Sequence, residues 1–368
     1  MRLFDPIRLR GLALANRVVV SPMCQYSARD GCATDWHLVH WAQMMMSGAS
    51  MFTIEATAVT PEGRISPADL GLYDDACEEA IAQTLSRVRN VCPPIAVAMQ
   101  LAHAGRKAST RPPWEGGTLI PTSEGGWTPL APSPVPHADG DPPPIALDEA
   151  GLARVRDAFA ESAKRAARAR LDALELHMAH GYLMHEFLSP IANSRTDRYG
   201  GDFESRIRFP LEVFAAVRDA WPGDRPLGVR LSCTDWVEDG WTIEQSIEFA
   251  RRLVAHGVDW VDASSGGVSP HQKIPLGPGY QVGFAGAIRR ASGATTIAVG
   301  LISQAEQAAT ILAAGDADMV AMARAFLWDP RWAWHAAAEL GANMVIPPQY
   351  LRSVPRSASE AFRNAKIG

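Results

Sequence analysis

Three side chains that can donate hydrogen bonds stand close together near the middle of the chain. They are His177, His180 and Tyr182, in a stretch where apolar and polar residues alternate before Gly181. Such alternation predicts a strand, and a glycine permits a sharp turn out of it. The two histidines could bind a metal ion, grip an anionic oxygen or serve only the structure. Because functional groups gather on loops that follow strands, we favour a functional site here.

The composition limits the class of protein. A chain of 368 residues suits an α/β barrel, and 47% hydrophobic residues can fill a large core. A net charge of −5 argues against a nucleic-acid partner, which would need a basic face. We expect no membrane span, because no run of about 18 apolar residues occurs, and no signal peptide at the start. The five cysteines form no CxxC pair, which favours reduced thiols in a cytoplasmic protein.

Short apolar runs recur along the chain, and most of them are followed by an amphipathic segment. Strands are predicted at residues 17–23, 50–57, 94–101, 174–183, 227–232, 258–267, 295–300 and 317–324. Helices are predicted at 37–47, 75–90, 148–169, 204–220, 242–256, 281–291 and 303–314, the last with a capping box from Ser303 to Glu306. This alternation predicts a (β/α)₈ TIM barrel. A doubly wound sheet is the alternative, although no GxGxxG follows the first strand.

Two segments depart from the repeat, although we expect residues 1–368 to form a single domain. Residues 102–147 are rich in Pro and Gly and form a long insertion after the third strand, on the face that carries active sites. Residues 342–368 form a C-terminal arm, because Pro347 and Pro348 stop the preceding helix and the tail then leaves the barrel extended.

The predicted strand ends would bring one set of side chains to a common mouth. Besides the histidines and Tyr182, this set includes Ser21, Pro22, Met23, Cys24, Tyr26, Gln100, Arg230, Gly300, Ala323 and Arg324. It holds cations and neutral donors but few carboxylates, since Glu175 is predicted to point away from His177. We therefore expect neither a metal site nor a pair of glycosidase carboxylates. What remains fits a flat, phosphorylated anionic cofactor, with Gly300 admitting the phosphate and Arg324 pairing with it.

Several motifs point to one family. They are SPMCQY at 21–26, EATAV at 55–59, QLAHAGRK at 100–107, HMAHGYLMHEFLSP at 177–190, NSRTDRYGG at 193–201, SSGG at 264–267 and PGYQV at 278–282. Together they resemble the old yellow enzyme family of FMN-dependent ene-reductases, and within it the bacterial thermophilic-like subgroup that includes xenobiotic reductase A. A single match would be weak, but the combination covers nearly the whole chain.

The resemblance implies a cofactor, a reaction and residue roles. NADPH or NADH would reduce FMN, and the hydride would pass to the β-carbon of an α,β-unsaturated carbonyl or related activated alkene. FMN would be bound by Ser21, Pro22, Met23, Cys24, Ala58, Gln100, Arg230, Gly300, Ala323 and Arg324. His177 and His180 would bind the substrate oxygen, Tyr182 would give a proton to the α-carbon, and Tyr26 would close over the substrate. Two positions are open: Cys24 could tune the flavin or only pack, and Ala323 stands where the family usually has glycine.

The resemblance also implies an assembly. In the subgroup a Gln-Tyr-x-Arg tail reaches the neighbouring subunit's active site, so Arg352 would line the partner's substrate pocket in a homodimer or homotetramer. Other hypotheses are a dienoyl-CoA reductase-like or trimethylamine dehydrogenase-like enzyme, a non-enzymatic FMN-binding barrel and a hydrolase with coincidental motifs. The first two kinds of enzyme carry an iron–sulfur region, for which this sequence lacks clustered cysteines.

Overall fold

Parallel strands of this chain close into a barrel, in a computed structural model that describes residues 2–359 and 361–362. The strands are β1 (Ile7–Leu9), β2 (Leu12–Leu14), β3 (Val18–Val20), β4 (Met51–Ala58), β5 (Ala96–Ala102), β6 (Leu130–Ala131), β7 (Ile145–Ala146), β8 (Ala173–Met178), β9 (Leu227–Ser232), β10 (Trp260–Ser264), β11 (Thr296–Ala298) and β12 (Met319–Met322). The barrel runs through β3, β4, β5, β8, β9, β10, β11 and β12, and β12 pairs with β3. The predicted (β/α)₈ barrel is confirmed, and the doubly wound sheet is wrong.

Helices connect the barrel strands and cover their outer faces. They are α1 (Asp35–Met45), α2 (Asp75–Arg89), α3 (Glu149–Arg168), α4 (Leu183–Leu188), α5 (Phe203–Ala220), α6 (Ile243–Ala255), α7 (Val282–Ser292), α8 (Ala305–Ala314), α9 (Arg324–Trp328) and α10 (Trp332–Glu339). The predicted helices are present with ends shifted by at most two residues, whereas α4, α9 and α10 are too short for periodicity to reveal. Within the described ranges, no helix has the length and apolarity needed to cross a bilayer.

The start of helix α8 differs from the prediction. The helix begins at Ala305 with Gln304 as its N-cap, so the capping box predicted from Ser303 to Glu306 is wrong. The Ser303 amide instead donates to the side chain of Gln307 at 3.2 Å, in a loop that follows β11. Three other helices begin after an aspartate N-cap. In α2, α3 and α5, a backbone amide of the first turn donates to the side chain of Asp74, Asp148 and Asp202, respectively.

A small hairpin closes the amino-terminal end of the barrel. Strands β1 and β2 pair antiparallel, and Leu9 and Leu14 are buried in one apolar cluster with inward-facing residues of the barrel. Those residues include Val19, Met51, Ala98, Ala173, Trp260, Ile297 and Met319. Because these side chains fill the space between the strands, this end of the barrel is a packed core rather than a channel.

The same strands become polar toward their carboxyl ends. Buried polar residues there include Glu55, Gln100, Glu175, His177 and Asp262. The prediction that Glu175 points away from His177 is wrong, because residues two apart on a strand face the same side. Glu175 accepts hydrogen bonds inside the barrel from Gln100 at 2.8 Å and from Trp260 at 3.0 Å. The barrel interior therefore holds the Glu175 carboxyl group, which the sequence analysis predicted to face away from His177.

The segment between β5 and α3 has little regular structure. Strands β6 and β7 pair with each other, and 3₁₀ turns form at Gly105–Lys107, Pro113–Glu115 and Thr122–Glu124. An antiparallel bridge between Thr110 and Leu119 shapes the residues between them into a hairpin-like loop. This loop lies near the carboxyl end of the barrel, since Trp114 at its tip contacts Tyr26.

The C-terminal segment folds back onto the barrel rather than running straight. It contains the 3₁₀ turns Pro348–Ser353 and Arg356–Ala358. Tyr350 packs edge-on against Trp334 of α10 with ring centres 5.9 Å apart, and the Arg331 guanidinium lies 4.1 Å from the Tyr350 ring centre. These aromatic and cation–π contacts hold the start of the arm against its own chain. Residues 360 and 363–368 of the predicted arm lie outside the described residues.

Candidate active site

A cavity of about 450 Å³ opens at the carboxyl end of the barrel. Residues from several strand ends line it, including six that the sequence predicted for a site: Ser21, His180, Arg230, Gly300, Ala323 and Arg324. Parallel strands end together, so residues far apart in sequence meet here. Sequence reasoning missed the lining residues Ser264, Tyr280 and Gln281. The motifs SSGG and PGYQV, quoted above without a role, contain all three and could have pointed to them.

One corner of the cavity is shaped by the backbone. Gly300 has a φ of +114°, and a Cβ there would come within 3.2 Å of the side chains of Gln281 and Tyr280. Only glycine fits this position without strain. Ala323 has a φ of −105°, which any side chain tolerates, so the departure from glycine costs nothing here. Arg324 follows at the rim, and the corner therefore offers an open backbone and a guanidinium to an anion.

Two histidines and a tyrosine form an aromatic cluster beside this cavity. The ring centres of His177 and His180 are 5.1 Å apart, and those of His177 and Tyr182 are 4.7 Å apart, both pairs meeting edge to face. The turn that presents them is tight, with a φ of +59° at His180. A Cβ at Gly181 would collide with the carbonyl oxygen of Gly267. The glycine of this motif is therefore required to bring the three rings together.

Both imidazoles are neutral near neutral pH. Burial, reinforced by the positive charge of Arg230, lowers the pKa of His177 and of His180 well below the usual value. Nδ1 of His177 accepts a hydrogen bond from the Ala179 amide at 3.2 Å, so its proton is on Nε2. Nε2 of His180 lies 2.7 Å from the Ser264 hydroxyl. The same hydroxyl lies 3.4 Å from Oε1 of Gln281, which is a second acceptor for its proton. In the tautomer in which the hydroxyl donates to His180, the His180 proton is on Nδ1, and each ring has an N–H to offer a ligand.

Tyr182 keeps its proton and lies under a lysine that sequence reasoning missed. Burial, with the nearby Cys24 thiol, raises the pKa of Tyr182 well above its usual value. Nζ of Lys107 lies 5.3 Å from the Tyr182 ring centre and donates to the carbonyl oxygens of His180 at 2.8 Å and Gly267 at 3.0 Å. Burial lowers the pKa of Lys107 to about 8. The motif QLAHAGRK contains this lysine and was the only signal for it.

The loop after β3 carries predicted residues that stand apart from the cavity lining: Pro22, Met23, Cys24 and Tyr26. Its shape depends on Glu55, which accepts a hydrogen bond from the Gln25 amide and lies 3.0 Å from Nε2 of His37. Burial, followed by the charges of Asp69 and Glu55, raises the pKa of the Cys24 thiol well above its usual value. Cys24 is therefore a neutral thiol rather than a thiolate.

Tyr26 has an aromatic partner from the insertion. The Tyr26 and Trp114 ring centres are 5.4 Å apart with an interplanar angle of 88°. Trp114 is 68% exposed, which leaves a large apolar surface open at this edge of the barrel. Sequence reasoning missed Trp114, because the Pro- and Gly-rich insertion has no periodicity that would place it.

Three further predicted residues do not line the cavity. Ala58 and Gln100 are buried on β4 and β5, and Arg352 is exposed in the C-terminal segment. Within one chain the structure does not bring Arg352 to the cavity. In the part of the chain that the structure describes, no three His, Cys, Asp or Glu side chains are placed to hold a metal ion.

The side chains around the cavity fit a planar, anionic cofactor that carries a phosphate. The Arg230 side chain is only 12% exposed; its Nε lies 3.4 Å from Oδ2 of Asp262, but the guanidinium forms no hydrogen bond with any of the described residues. A buried guanidinium in this state favours a negatively charged ligand. The corner at Gly300 and Arg324 forms a second anion site in the same cavity, and this site suits the phosphate of such a cofactor.

A (β/α)₈ barrel with such a cavity at its carboxyl end defines a cofactor-binding barrel enzyme. Residues 2–343 match the model of the NADH:flavin oxidoreductase / NADH oxidase family. An NADPH dehydrogenase of Geobacillus thermodenitrificans is 42% identical over 352 residues, which cover 95% of this chain and 98% of that protein. The chain therefore belongs to the NADH:flavin oxidoreductase / NADH oxidase family, and the old yellow enzyme resemblance is confirmed.

Solved structures agree on the fold. Morphinone reductase in complex with tetrahydroNAD is 25% identical with a TM-score of 0.75, and the match covers 100% of this chain and 98% of that one. A 2-naphthoyl-CoA reductase complex has a TM-score of 0.80 at 22% identity, covering 90% of this chain. The chain spans about half of that longer protein, 51% of its length, so this likeness concerns the barrel alone.

Proposed function

We propose that this protein is an FMN-dependent ene-reductase that uses NADPH or NADH to reduce small activated alkenes. The observation that carries the proposal is the cluster of His177, His180 and Tyr182 beside a cavity that contains Arg230 and Arg324. Neutral donors, a protonated phenol and fixed cations suit a reaction in which negative charge grows on a substrate oxygen near a bound anion. The family match supports the same reaction type.

The residues around the cavity would hold FMN, which supplies the hydride when bound. Gly300, Ala323 and Arg324 fit its phosphate, and Arg230 fits the negative charge of the reduced ring. The Gln100 amide is fixed by Glu175 and would bind the polar edge of the ring. Ser21, Pro22, Met23, Cys24 and Ala58 would line the cofactor from the first two barrel strands. Cys24, as a neutral thiol, would tune the flavin without carrying a charge.

The histidine pair would bind the carbonyl or nitro oxygen of the substrate. As hydride reaches the β-carbon, negative charge moves to that oxygen, and each N–H donor lowers the barrier by about 3 kcal/mol. Since both pKa values are lowered, the rings stay neutral and orient the oxygen without protonating it. The Ser264 hydroxyl fixes the orientation of His180.

Tyr182 would complete the reaction by giving its proton to the α-carbon. With its raised pKa, the phenol stays protonated until a strongly basic carbon forms beside it. The Lys107 ammonium faces the ring and would stabilise the phenolate that remains. Tyr26 and Trp114 would close over the outer side of a flat substrate.

The protein would act as a homodimer or homotetramer in which Arg352 completes the neighbouring active site. Support comes from the exposure of Arg352 and from its position away from the cavity of its own chain. The Tyr350 contacts with α10 would anchor the arm before it crosses to the partner. We also propose that residues 1–368 form one domain and that the protein is cytoplasmic, because its cysteines are free thiols.

The visible spectrum of the purified protein tests the function. We expect a yellow protein that releases FMN on denaturation, is bleached by NADPH without oxygen and regains its colour when an enone is added. Bleaching without reoxidation by any enone would contradict the ene-reductase and leave a flavin-binding barrel. A colourless protein would contradict the cofactor itself.

Two variants test the proposed role of the arm. Arg352→Ala should raise KM for the alkene at unchanged FMN content, and deletion of residues 346–368 should also weaken the oligomer. Arg356→Ala, an exposed arginine in the next turn, is the matched control and should behave as wild type. A truncated protein with unaltered kinetics and assembly would contradict the role of the arm.

A further inference from the structure

Two buried carboxyl groups and a largely buried arginine lie inside the barrel on neighbouring strands. Arg230 on β9 stands opposite Asp262 on β10 in the strand register, and its Nε lies 3.4 Å from Oδ2 of Asp262. Glu175 on β8, the strand on the other side of β9, is also buried; burial raises the pKa of Glu175, and the charge of Arg230 acts against this rise. Asp262 forms the ion pair with Arg230, whereas Glu175 is affected by the charge of Arg230 without contacting it. The cluster therefore carries one more acid than base.

The two carboxyl groups are held differently. Glu175 accepts hydrogen bonds from Gln100 at 2.8 Å and from Trp260 at 3.0 Å, which stabilise its ionised form. Asp262 Oδ1 has no hydrogen-bond partner among the described residues, and Oδ2 has only its ion pair with Arg230. Burial, with a contribution from Glu175 and against the pull of Arg230, raises the pKa of Asp262 to about 7. The pKa of Glu175 is raised as well, but only Asp262 lacks hydrogen-bond donors that stabilise the carboxylate, so we assign the exchangeable proton of the cluster to Asp262.

Few charged or titratable groups lie close enough to Asp262 to affect its pKa. In the part of the chain that the structure describes, the charged and titratable groups acting on it are Arg230, Glu175 and the Cys233 thiol just after β9. Strand β11 on its other side, Thr296–Ala298, has no titratable residue. Ser264 stands two residues further along the same face of β10 and lines the cavity. The Ser264 hydroxyl lies 2.7 Å from Nε2 of His180, so the strand that carries Asp262 also contacts the histidine pair.

We propose that Asp262 is a positioning residue that takes up a proton when the flavin beside Arg230 is reduced and releases it when the flavin is reoxidised. The inference rests on the proposed FMN site. Hydride transfer from NADPH brings two electrons and one proton to the flavin and leaves one additional negative charge. Arg230 then compensates that charge, so its field no longer stabilises the Asp262 carboxylate, which forms an O–H bond with a proton taken from water. NADPH is the only reductant that the step needs.

Proton uptake during reduction measures this directly. The holoenzyme is reduced with one equivalent of NADPH, without oxygen, in weak buffer at about pH 7.5, with an indicator dye. Hydride transfer alone takes no proton from water, so wild type should take up a fraction of a proton per flavin and Asp262→Asn none. Asp259→Asn is the matched control, because that carboxylate lies just before β10 and pairs with Arg10 at 3.0 Å outside the barrel interior. Equal uptake by wild type and Asp262→Asn would overturn the proposal.

The pH dependence of the flavin potential provides a second readout that needs only wild type. Between the pKa of Asp262 in the oxidised protein and its higher pKa in the reduced protein, two protons rather than one accompany two electrons, so the slope of potential against pH should double there. A slope of one proton throughout the range from about pH 6 to about pH 9 would overturn the proposal. If NADPH reduces the flavin but no alkene reoxidises it, the ene-reductase proposal is contradicted, and the proton-uptake proposal can still be tested. A protein without flavin would overturn both proposals.

Discussion

Strand β10 passes from one kind of barrel interior to another within five residues. Trp260 at its start belongs to the apolar cluster with Leu9 and Met319. Asp262 and Ser264 face the same side and are buried among polar groups. The amino-terminal half of the interior is packed with apolar side chains, whereas the carboxyl half contains polar groups, among which Arg230 Nε and Asp262 Oδ1 have no hydrogen-bond partner among the described residues. The difference teaches that burial in this barrel serves stability at one end and function at the other, because a buried charge costs free energy that the apolar end must offset.

The largest effect should come from the histidine pair at the polar end. Replacing His177 and His180 together with alanine should slow alkene reduction by about 100-fold or more, since each removes an oxyanion donor. Bound flavin should change little, because the residues proposed to hold its phosphate and ring are unchanged in this variant. The checks are rapid mixing with an enone and titration with a phenol, with His256→Ala at the exposed end of α6 as control. A double variant that binds the phenol as tightly as wild type would show that the assignment is wrong.

The opposite result is expected at the apolar end. Met319→Ala should lower the free energy of unfolding by about 3 kcal/mol, because Met319 is fully buried and alanine would leave a cavity. Its kcat for the folded enzyme should match wild type. Urea unfolding measures the first quantity, and Val91→Ala, at a residue 65% exposed, is the control. A large change in kcat with an unchanged free energy of unfolding would contradict the claim that the apolar end serves stability and the polar end serves function.

Tyr182→Phe should slow only one of the two half-reactions of the catalytic cycle. Reduction of the flavin by NADPH should be unchanged, whereas reoxidation by an enone should slow by about 100-fold, because only the second half requires the phenolic proton. Stopped-flow absorbance separates the two halves. Tyr73→Phe removes a hydroxyl that bonds to Asp30 and should affect neither half. Equal slowing of both halves would contradict a proton donor, and a reoxidation rate near that of wild type would implicate water.

The smallest effect is expected for Cys24→Ala. The variant should keep its flavin but shift the reduction potential and change alkene affinity a few-fold, because a neutral thiol polarises its neighbours without a full charge. Spectroelectrochemistry gives the potential, and Cys92→Ala on the outside of the barrel is the control. If the reduction potential and the alkene affinity both stay at wild-type values, Cys24 does not tune the flavin and serves only in packing, which is the alternative left open by the sequence.

The residues that sequence reasoning found are those whose roles can be read within one segment. His177, His180 and Tyr182 share one strand end, and Gly300 is identified by its place after the seventh barrel strand. The family and the barrel followed from such local segments and from their order. Arg324 was predicted in the same way, by its position after the last strand.

The residues that it missed act across strands. Lys107 reaches the carbonyl of His180, Glu55 holds the Gln25 amide, and Asp262 faces Arg230. Each contact depends on the register between elements, which no single segment encodes. The error at Glu175 had a different origin, because the period of two along a strand was enough to place it beside His177.

The seam where the barrel closes has a consequence for how the chain folds. Arg17, just before β3, donates to the carbonyl of Asp318, 301 positions later, and β3 pairs with β12. During synthesis, β3 therefore cannot pair with β12 until almost the whole chain has been made. Contacts so distant in sequence slow folding. Until β12 arrives, β3 and β11 expose unpaired backbone, and a nascent chain stalled at that point has two open edges that can join another molecule.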